Sequence, residues 1–267
     1  MKNQPLASVI IPTYNRANLL PRAIKSVLNQ TFKDFELIVV DDGSIDDTEK
    51  VVKDINDNRI IYIKNYKNLG IQKSLNKGIE QARGEYIARV DDDDAWVDSE
   101  KLDRQIKFLE ENTNYVLVGT GAIVVGEGGK ELFRFLNPLK DQEIRQSILG
   151  KNCFLHPSVV FRRDAVLKVG GYSEELEDLH VEDYDLWLKL GMIAKFANLP
   201  VYGIHHTEWK AQISNKNQTK QLKNYFRLIR KYEKYYPGYC RAIFRSFLRL
   251  VLYGYLKFGK IRYRGNY

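Results

Sequence analysis

Continuous apolar runs alternate with helix-like stretches over the first hundred residues, and this alternation limits the folds open to the chain. The runs are rich in Val and Ile and lie within residues 8–12, 35–41, 59–63 and 84–90. The stretches between them carry apolar residues at helical spacing: Leu20, Ile24, Val27 and Leu28; Val51, Val52 and Ile55; Ile71, Leu75 and Ile79. Strands that are apolar throughout are typical of a parallel sheet covered on both faces by helices. The pattern predicts a doubly wound, mostly parallel α/β sheet.

Polar residues follow three of the predicted strands. They are residues 12–15, 41–44 and 91–94. In a doubly wound sheet, ligands bind beyond the carboxyl ends of the strands, so we expect these segments to face one crevice. A dinucleotide-binding Rossmann domain would need Gly-x-Gly-x-x-Gly after the first strand, and no such motif stands there. The three strand ends therefore indicate a different ligand site.

Four consecutive carboxylates, Asp91 to Asp94, follow the fourth apolar run. Such a cluster is stable where a divalent cation neutralises it, and oxygen ligands suit Mg²⁺ or Mn²⁺. In an extended backbone alternate side chains share a face, so Asp91 and Asp93 would converge on one ion while Asp92 points elsewhere. The alternative is a solvated acidic turn. An EF-hand is excluded because Ala95 and Trp96 occupy positions that need a ligand and a glycine.

The second half of the chain is less regular. Strands are predicted over residues 115–125, 132–136, 154–162 and 201–206, and the last of these ends in His205 and His206. Glu182 and Asp183 stand at the start of a predicted helix. Acidic residues in a first helical turn are favoured by the helix dipole alone, so a structural role for this pair remains open.

Charge is distributed unevenly along the chain. From Thr219 onward there are 13 lysines and arginines against one acidic residue, a net charge of +12, which leaves −4 for the rest of the +8 chain. Binding to nucleic acid or anionic lipid would therefore have to involve this segment. We find no apolar stretch long enough to span a membrane and no basic-then-apolar leader, and the two cysteines lack metal-site spacing. We expect a cytoplasmic protein.

Several motifs in a fixed order resemble the family 2 glycosyltransferases, which have the GT-A fold. The similarity covers roughly residues 6–206 and includes Val-Ile-Ile-Pro-Thr-Tyr-Asn, Val-Val-Asp-Asp-Gly-Ser, Val-Asp-Asp-Asp-Asp, His-Pro-Ser-Val-Val-Phe and Glu-Asp-Tyr-Asp-Leu-Trp. The resemblance implies a nucleotide-sugar-binding half over residues 1–98 and an acceptor half over 99–215. A basic amphipathic helical tail would follow over residues 216–267.

The resemblance also implies roles for the matched residues of the first two strand ends. Pro12, Thr13 and Tyr14 would line the nucleotide pocket, with Tyr14 against the base. Asp41 would accept a hydrogen bond from the base, and Asp42 would lie close by. The expected donor is a nucleotide-diphosphate sugar, most simply a UDP-sugar.

Metal binding and catalysis are assigned in the same way. Asp91 and Asp93 would contact the ribose and the metal-bound diphosphate, Asp92 would belong to the donor site, and His205 would lie near the metal. Asp183 would be the base that deprotonates the acceptor hydroxyl, in a single displacement that inverts the anomeric carbon. The cation, Mn²⁺ or Mg²⁺, would act as a Lewis acid on the leaving diphosphate.

Two departures from the family pattern bear on the diphosphate contacts. Ser74, Leu75 and Asn76 stand where the family often has Ala-Arg-Asn, and Gly203 replaces an arginine that commonly precedes the late histidine. The Gln-x-x-Arg-Trp motif of processive synthases is also absent. Transfer of one sugar to a glycan or lipid-linked acceptor, in cell-surface polysaccharide or glycolipid assembly, is therefore expected. A non-catalytic nucleotide- or sugar-binding module and a nucleotidyltransferase are the alternatives.

The tail has the pattern of a basic amphipathic helix. Arg241, Arg245 and Arg249 recur at every fourth position, with apolar residues on the other faces, and four more cations follow at Lys257, Lys260, Arg262 and Arg264. The helix either packs back on the catalytic domain or lies on an anionic membrane surface at the inner face of the membrane. Nucleic acid is not an expected partner, because the body with the crevice is acidic.

Overall fold

The computed structural model describes residues 4–175, 180–208 and 218–263, and the side chains of residues 218, 219 and 252–263 lie outside this description. Nine strands form one sheet: β1 (Ala7–Thr13), β2 (Phe35–Asp41), β3 (Ile60–Lys64), β4 (Tyr86–Arg89), β5 (Ala95–Trp96), β6 (Tyr115–Gly126), β7 (Glu131–Phe135), β8 (Val160–Arg162) and β9 (Lys195–Glu208). The helices are α1 (Leu20–Leu28), α2 (Thr48–Asp54), α3 (Ile71–Gln81), α4 (Lys101–Glu111), α5 (Asp141–Ile148), α6 (Arg163–Lys168), α7 (Glu182–Gly191), α8 (Gln218–Lys231) and α9 (Tyr239–Tyr263).

The sheet has the order β3-β2-β1-β4-β8-β6-β9-β5, with β7 paired to β6. Strands β1 to β4 are parallel, as the continuous apolar runs predicted. Beyond β4 the sheet is mixed, because β8 is antiparallel to both β4 and β6 while β6 and β9 are parallel. The predicted fold class is therefore confirmed. The protein has a mostly parallel α/β sheet with helices on both faces and further helices at the C-terminal end.

Alternating side chains of the strands build two hydrophobic cores, one on each face of the sheet. Val9, Ile11 and Val39 lie in the core that α1 and α4 cover. Ile10 and Ile38 lie in the other core, which α3, α7 and α8 cover. Because both faces of these strands are buried, their backbone is rigid, and the polar residues at their carboxyl ends have fixed positions.

The predicted strand over residues 154–162 is only partly present. A 3₁₀ turn spans His156–Ser158, and the strand β8 is limited to Val160–Arg162. Pro157 explains the difference, because it lacks the N–H that a central strand would donate. The last strand is longer than predicted, since β9 begins at Lys195.

Helix α8 packs against the rest of the fold and contributes to its core. Leu228, Ile229 and Tyr232 are fully or almost fully buried and belong to the same core as α3 and α7. Helix α8 therefore shares a core with α3 and α7, and the division of the chain at residue 215 stays a prediction.

Candidate active site

The carboxyl ends of β1, β2 and β4 meet in one crevice. The backbone N–H of Asp42 donates to the carbonyl of Thr13 at 2.8 Å. The hydroxyl of Thr13 donates to Asp92 Oδ2 at 2.8 Å, which joins the first strand end to the Asp cluster. The three segments that the sequence predicted to converge are thus in contact.

Asp41 and Asp42 face opposite sides of the strand end and have different partners. Asp41 is fully buried and accepts hydrogen bonds from the Ser44 N–H and the Tyr62 hydroxyl. Asp42 accepts three, from the amides of Leu69 and Gly70 and from the side chain of Asn65. Asp42 therefore fixes the loop that precedes α3, whereas the carboxylate of Asp41 lies on the other side of the strand.

A close approach of two loops explains the glycine after these aspartates. Gly43 has φ +81°, and a Cβ there would lie 2.6 Å from the carbonyl carbon of Lys67. Any other residue would be strained and would push the loops apart. Beside this turn, Pro12 is buried and Tyr14 is 43% exposed, so the Tyr14 ring is available to a ligand at the crevice.

The Asp cluster forms a turn and not an extended strand. The N–H of Asp94 donates to the carbonyl of Asp91 at 3.2 Å, so the predicted strand-like alternation of these side chains is wrong. Three of the carboxylates have protein partners: Asp91 accepts from Arg89, Asp92 from Thr13, and Asp94 from His206 and the Thr207 N–H. Within the described part of the chain, the carboxylate of Asp93 has no hydrogen-bond donor.

Asp93 lies among like charges, which a divalent cation would neutralise. Burial and then the neighbouring carboxylates, Asp91 first, raise the pKa of Asp93 to about 7. Burial also raises the pKa of Asp92 to about 6, against the hydrogen bond from Thr13. In the ranges described, no three His, Cys, Asp or Glu side chains are arranged to hold a metal by themselves. Mg²⁺ and Mn²⁺ at nucleotide sites are held by one or two carboxylates together with phosphate oxygens, and Asp93 with Asp91 fits that kind of site.

The structure brings His206, and not His205, to the Asp cluster. His206 Nδ1 lies 3.0 Å from Asp94 Oδ2. Burial lowers the pKa of His206, but the hydrogen bond and charge of Asp94 outweigh this and raise it to about 9. Adjacent strand residues face opposite sides, and His205 lies where burial and then Arg22 lower its pKa. The proximity of His205 to a metal stays a prediction, and His206 is the histidine that contacts the Asp cluster.

Asp183 stands in the first turn of α7 and is half-buried. The side-chain amide of Asn152 donates to Asp183 Oδ2 at 2.8 Å. Burial raises the pKa of Asp183, while the Tyr184 N–H and Asn152 oppose the rise. Burial and then the charge of Asp183 raise the pKa of Glu182 to about 7. Glu182 can therefore exchange a proton near neutral pH, and the pKa of Asp183 is shifted in the same upward direction.

Sequence reasoning missed four residues around the crevice: Arg22, Arg89, Asn152 and His206. Arg22 donates to the carbonyl of Asp93 and to the hydroxyl of Thr207, so it ties α1 and β9 to the Asp turn. Only Arg89 had a signal in the sequence, since it stands two residues before Asp91 and thus on the same face of a strand. Asn76, at the departure from the family pattern, exchanges hydrogen bonds with the backbone of Tyr172.

Comparison with known proteins gives one family. The family model described as glycosyl transferase family 2 matches residues 8–170. The amylovoran biosynthesis glycosyltransferase AmsE of Erwinia amylovora is 35% identical over 198 residues, 72% of this chain and 73% of that protein. The O-antigen biosynthesis glycosyltransferase WbnJ of Escherichia coli is 32% identical over 191 residues, 69% of this chain and 71% of that protein.

Two solved structures share the fold. S. aureus TarS in complex with UDP-GlcNAc superposes with a TM-score of 0.69 at 23% identity, over 88% of this chain and 69% of that one. The mannosyltransferase PcManGT from Pyrobaculum calidifontis, in complex with GDP-Man and Mn²⁺, gives a TM-score of 0.65 at 17% identity, over 94% and 75% of the two chains. Both similarities concern the architecture alone.

Proposed function

The chain belongs to glycosyl transferase family 2 and is a glycosyltransferase, and from this premise we propose a specific reaction. It transfers one sugar from a UDP-sugar to a hydroxyl of a glycan or lipid-linked acceptor, with inversion and with Mn²⁺ or Mg²⁺. The observation that carries this proposal is the half-buried carboxylate of Asp93, which has no hydrogen-bond donor among the described residues and stands two residues from Asp91, whose charge acts on Asp183. Relatives named for amylovoran and O-antigen biosynthesis support a polysaccharide or glycolipid acceptor.

The donor would lie along the strand ends. Tyr14 offers an exposed ring to the base, and the buried carboxylate of Asp41 still has lone pairs after its two hydrogen bonds. Asp42 contributes indirectly, by holding the loop before α3, and Asp92 by its bond to Thr13. A relative in fold that binds UDP-GlcNAc supports uracil as the base.

Asp93 and Asp91 would hold the cation, which neutralises charge developing on the departing diphosphate. On the opposite side, Asp183 would accept the proton of the acceptor hydroxyl while that oxygen bonds to the anomeric carbon. The bond from the same carbon to the diphosphate breaks on the far side, so the configuration inverts. Asn152 keeps the Asp183 carboxylate oriented for this step.

Binding and turnover test the proposal separately. Calorimetry with UDP and Mn²⁺ should show metal-dependent binding that Asp93→Ala largely removes. A screen of nucleotide sugars with Mn²⁺ should then show release of nucleoside diphosphate from one of them. Nucleotide binding without any turnover would favour a non-catalytic module, and metal-independent binding would remove Asp93 as a ligand.

We also propose that α9 rests on an anionic membrane surface. Its inward residues Ala242 and Ser246 are buried, whereas four apolar residues point outward and are at least 47% exposed: Phe244, Phe247, Leu248 and Val251. Arg241 and Arg245 are exposed beside this apolar face. Exposed aromatic and aliphatic side chains flanked by arginines suit the headgroup region of a bilayer. None of the helices, over their described residues, is both long and apolar enough to cross a membrane.

Vesicle sedimentation tests this surface without removing α8. The double variant Phe244→Ser with Phe247→Ser should pellet with anionic vesicles less than the wild-type protein does, and high salt should weaken binding of both. Equal pelleting of variant and wild type would leave the α9 face without a role at the membrane. The structure does not describe the side chains of Lys257, Lys260 and Arg262, and Arg264 lies outside the described residues.

A further inference from the structure

The buried arginine Arg89 bonds to the Asp turn, and its charge also acts on the acidic pair of α7. Arg89 ends β4, two residues before Asp91, and is 2% exposed. Its Nη2 donates to Asp91 Oδ1 at 2.6 Å. Its Nε and Nη1 are buried and, among the described residues, have no hydrogen-bond acceptor. A buried guanidinium with unused donors is costly, so its retention calls for an explanation.

Arg89 also interacts with the acidic pair Glu182 and Asp183. The charge of Arg89 acts on Asp183 and on Glu182, and both carboxyl groups lie at the start of α7. Glu182 Oε2 is also buried without a donor in the described part of the chain. Two side chains that interact electrostatically therefore each keep buried polar atoms without a partner among the described residues: Arg89 has two donors and Glu182 has one acceptor.

Fold stability alone does not account for Arg89. Arg162, on the adjacent strand β8, is a structural arginine by comparison. Its guanidinium donates to the backbone carbonyls of Tyr115 at 3.0 Å and Leu109 at 2.6 Å, and so joins β8 to β6 and α4. Arg89 makes no such bond to backbone; its one side-chain partner in the described structure is a carboxylate of the Asp turn.

We infer that Arg89 is a positioning residue that orients Asp91 toward the donor and serves Glu182 and Asp183 with its remaining donors when the crevice is filled. One planar, permanently charged group then fixes the donor carboxylate and the base relative to each other. Arg89 acts through these carboxylates and does not touch the substrate. The inference rests on the proposed function, because it assigns Arg89 a part in that reaction.

Three variants separate positioning from packing. Arg89→Met keeps the length of the side chain and removes charge and donors, and Arg89→Lys keeps the charge but not the planar set of donors. Arg162→Met is the matched control, because it removes a half-buried, hydrogen-bonded arginine of the neighbouring strand. For each protein the affinity for UDP with Mn²⁺ is measured by calorimetry, and kcat and KM for the donor are measured by release of nucleoside diphosphate.

For Arg89→Met we expect UDP affinity with Mn²⁺ to weaken about tenfold, equivalent to about 1.4 kcal/mol. We expect kcat at saturating donor to fall further, because Asp183 is affected as well. Arg89→Lys should lie between this variant and wild type. Arg162→Met should lower the melting temperature and leave affinity and kcat within about twofold, since it lies outside the crevice.

Arg89→Met with affinity and kcat both within twofold of the Arg162→Met values would overturn the inference. If Arg89→Met does not fold, wild-type affinity and kcat in Arg89→Lys would overturn it equally. A wild-type protein that neither binds UDP with Mn²⁺ nor turns over any nucleotide sugar refutes the proposed function and this inference with it. Normal wild-type binding and turnover beside unaffected Arg89 variants refute the inference alone.

Discussion

Asp185 anchors helix α8 to the helix that carries Asp183, and its replacement by asparagine should destabilise the protein. The carboxylate is fully buried. Lys231 and Tyr232 of α8 both reach its Oδ1 at 2.8 Å, and Lys189 Nζ lies 2.9 Å from Oδ2. Asp185→Asn keeps the size of the side chain and removes the charge that two lysines neutralise.

The expected loss follows from the exposure of the partners. Removing one partner of a fully buried ion pair costs about 3–5 kcal/mol. Lys231 is 42% exposed and can return to water, and asparagine can still accept from Tyr232, so we expect about 2–3 kcal/mol here. For a chain of this size each kcal/mol corresponds to roughly 2–4 °C, which gives a fall in melting temperature of roughly 5–10 °C.

The loss should depend on pH. Burial raises the pKa of Asp185, but the bonds from Lys231 and Lys189 outweigh this, and the net pKa lies below the ordinary value of 3.8. A carboxylate with a lowered folded pKa stabilises above its unfolded pKa and loses that contribution as pH falls through the folded value. The difference between wild type and Asp185→Asn should therefore be full at pH 7 and shrink below about pH 4.

Differential scanning calorimetry from pH 3 to pH 7 measures both effects. Glu131→Gln is the matched control, because it breaks an exposed carboxylate–arginine pair with Arg134 at 2.7 Å. Such pairs add little to stability, so the control should melt close to wild type. A melting temperature of Asp185→Asn equal to that of the control, or a difference that does not change with pH, would refute the anchoring role.

Three further predictions concern the crevice. Asp183→Asn should lower kcat at least about a hundredfold while UDP binding persists. In the wild-type protein kcat should fall as pH drops through the raised pKa of Asp183. A larger loss of kcat in Glu182→Gln than in Asp183→Asn would assign the role of base to Glu182. His206→Gln should weaken Mn²⁺-dependent UDP binding in calorimetry, whereas His205→Gln should not, and the reverse order would restore His205 to the metal site. Gly43→Ala should lower the melting temperature and weaken UDP binding because its backbone has φ +81°, and wild-type values for both would contradict that strain.

Much of the first half could be predicted because burial on both faces leaves a periodic record in the sequence. The runs at residues 8–12 and 35–41 correspond to β1 and β2, and the meeting of their ends follows from parallel pairing. Thr13 and Asp92 are in contact for that reason. The apolar pattern that identifies each strand is local in the sequence, so these strand ends could be placed without knowing which distant residues contact them.

The sequence was least informative where a contact with a distant residue, or the alternation of side chains along one strand, decides which residue reaches the site. His205 and His206 are neighbours in sequence, and only the register of β9 against β5 decides which one reaches Asp94. The turn at Asp91 depends on hydrogen bonds from Arg22 and Thr207, which lie far away in the chain. Likewise, the basic composition of α8 gave no sign that Leu228 and Tyr232 would be buried in the core.

The segment Glu-Asp-Tyr-Asp-Leu-Trp shows why the proposed catalytic base occurs within a longer motif. Successive side chains of a helix point about 100° apart, so the first turns of α7 face several surroundings at once. Asp183 faces the crevice, while the Tyr184 hydroxyl donates to the carbonyl of Ile148 and Asp185 holds α8. Trp187 packs against Phe154 in the core. The position of Asp183 therefore follows from three packing contacts of its neighbours, and a change to any of them moves the proposed base.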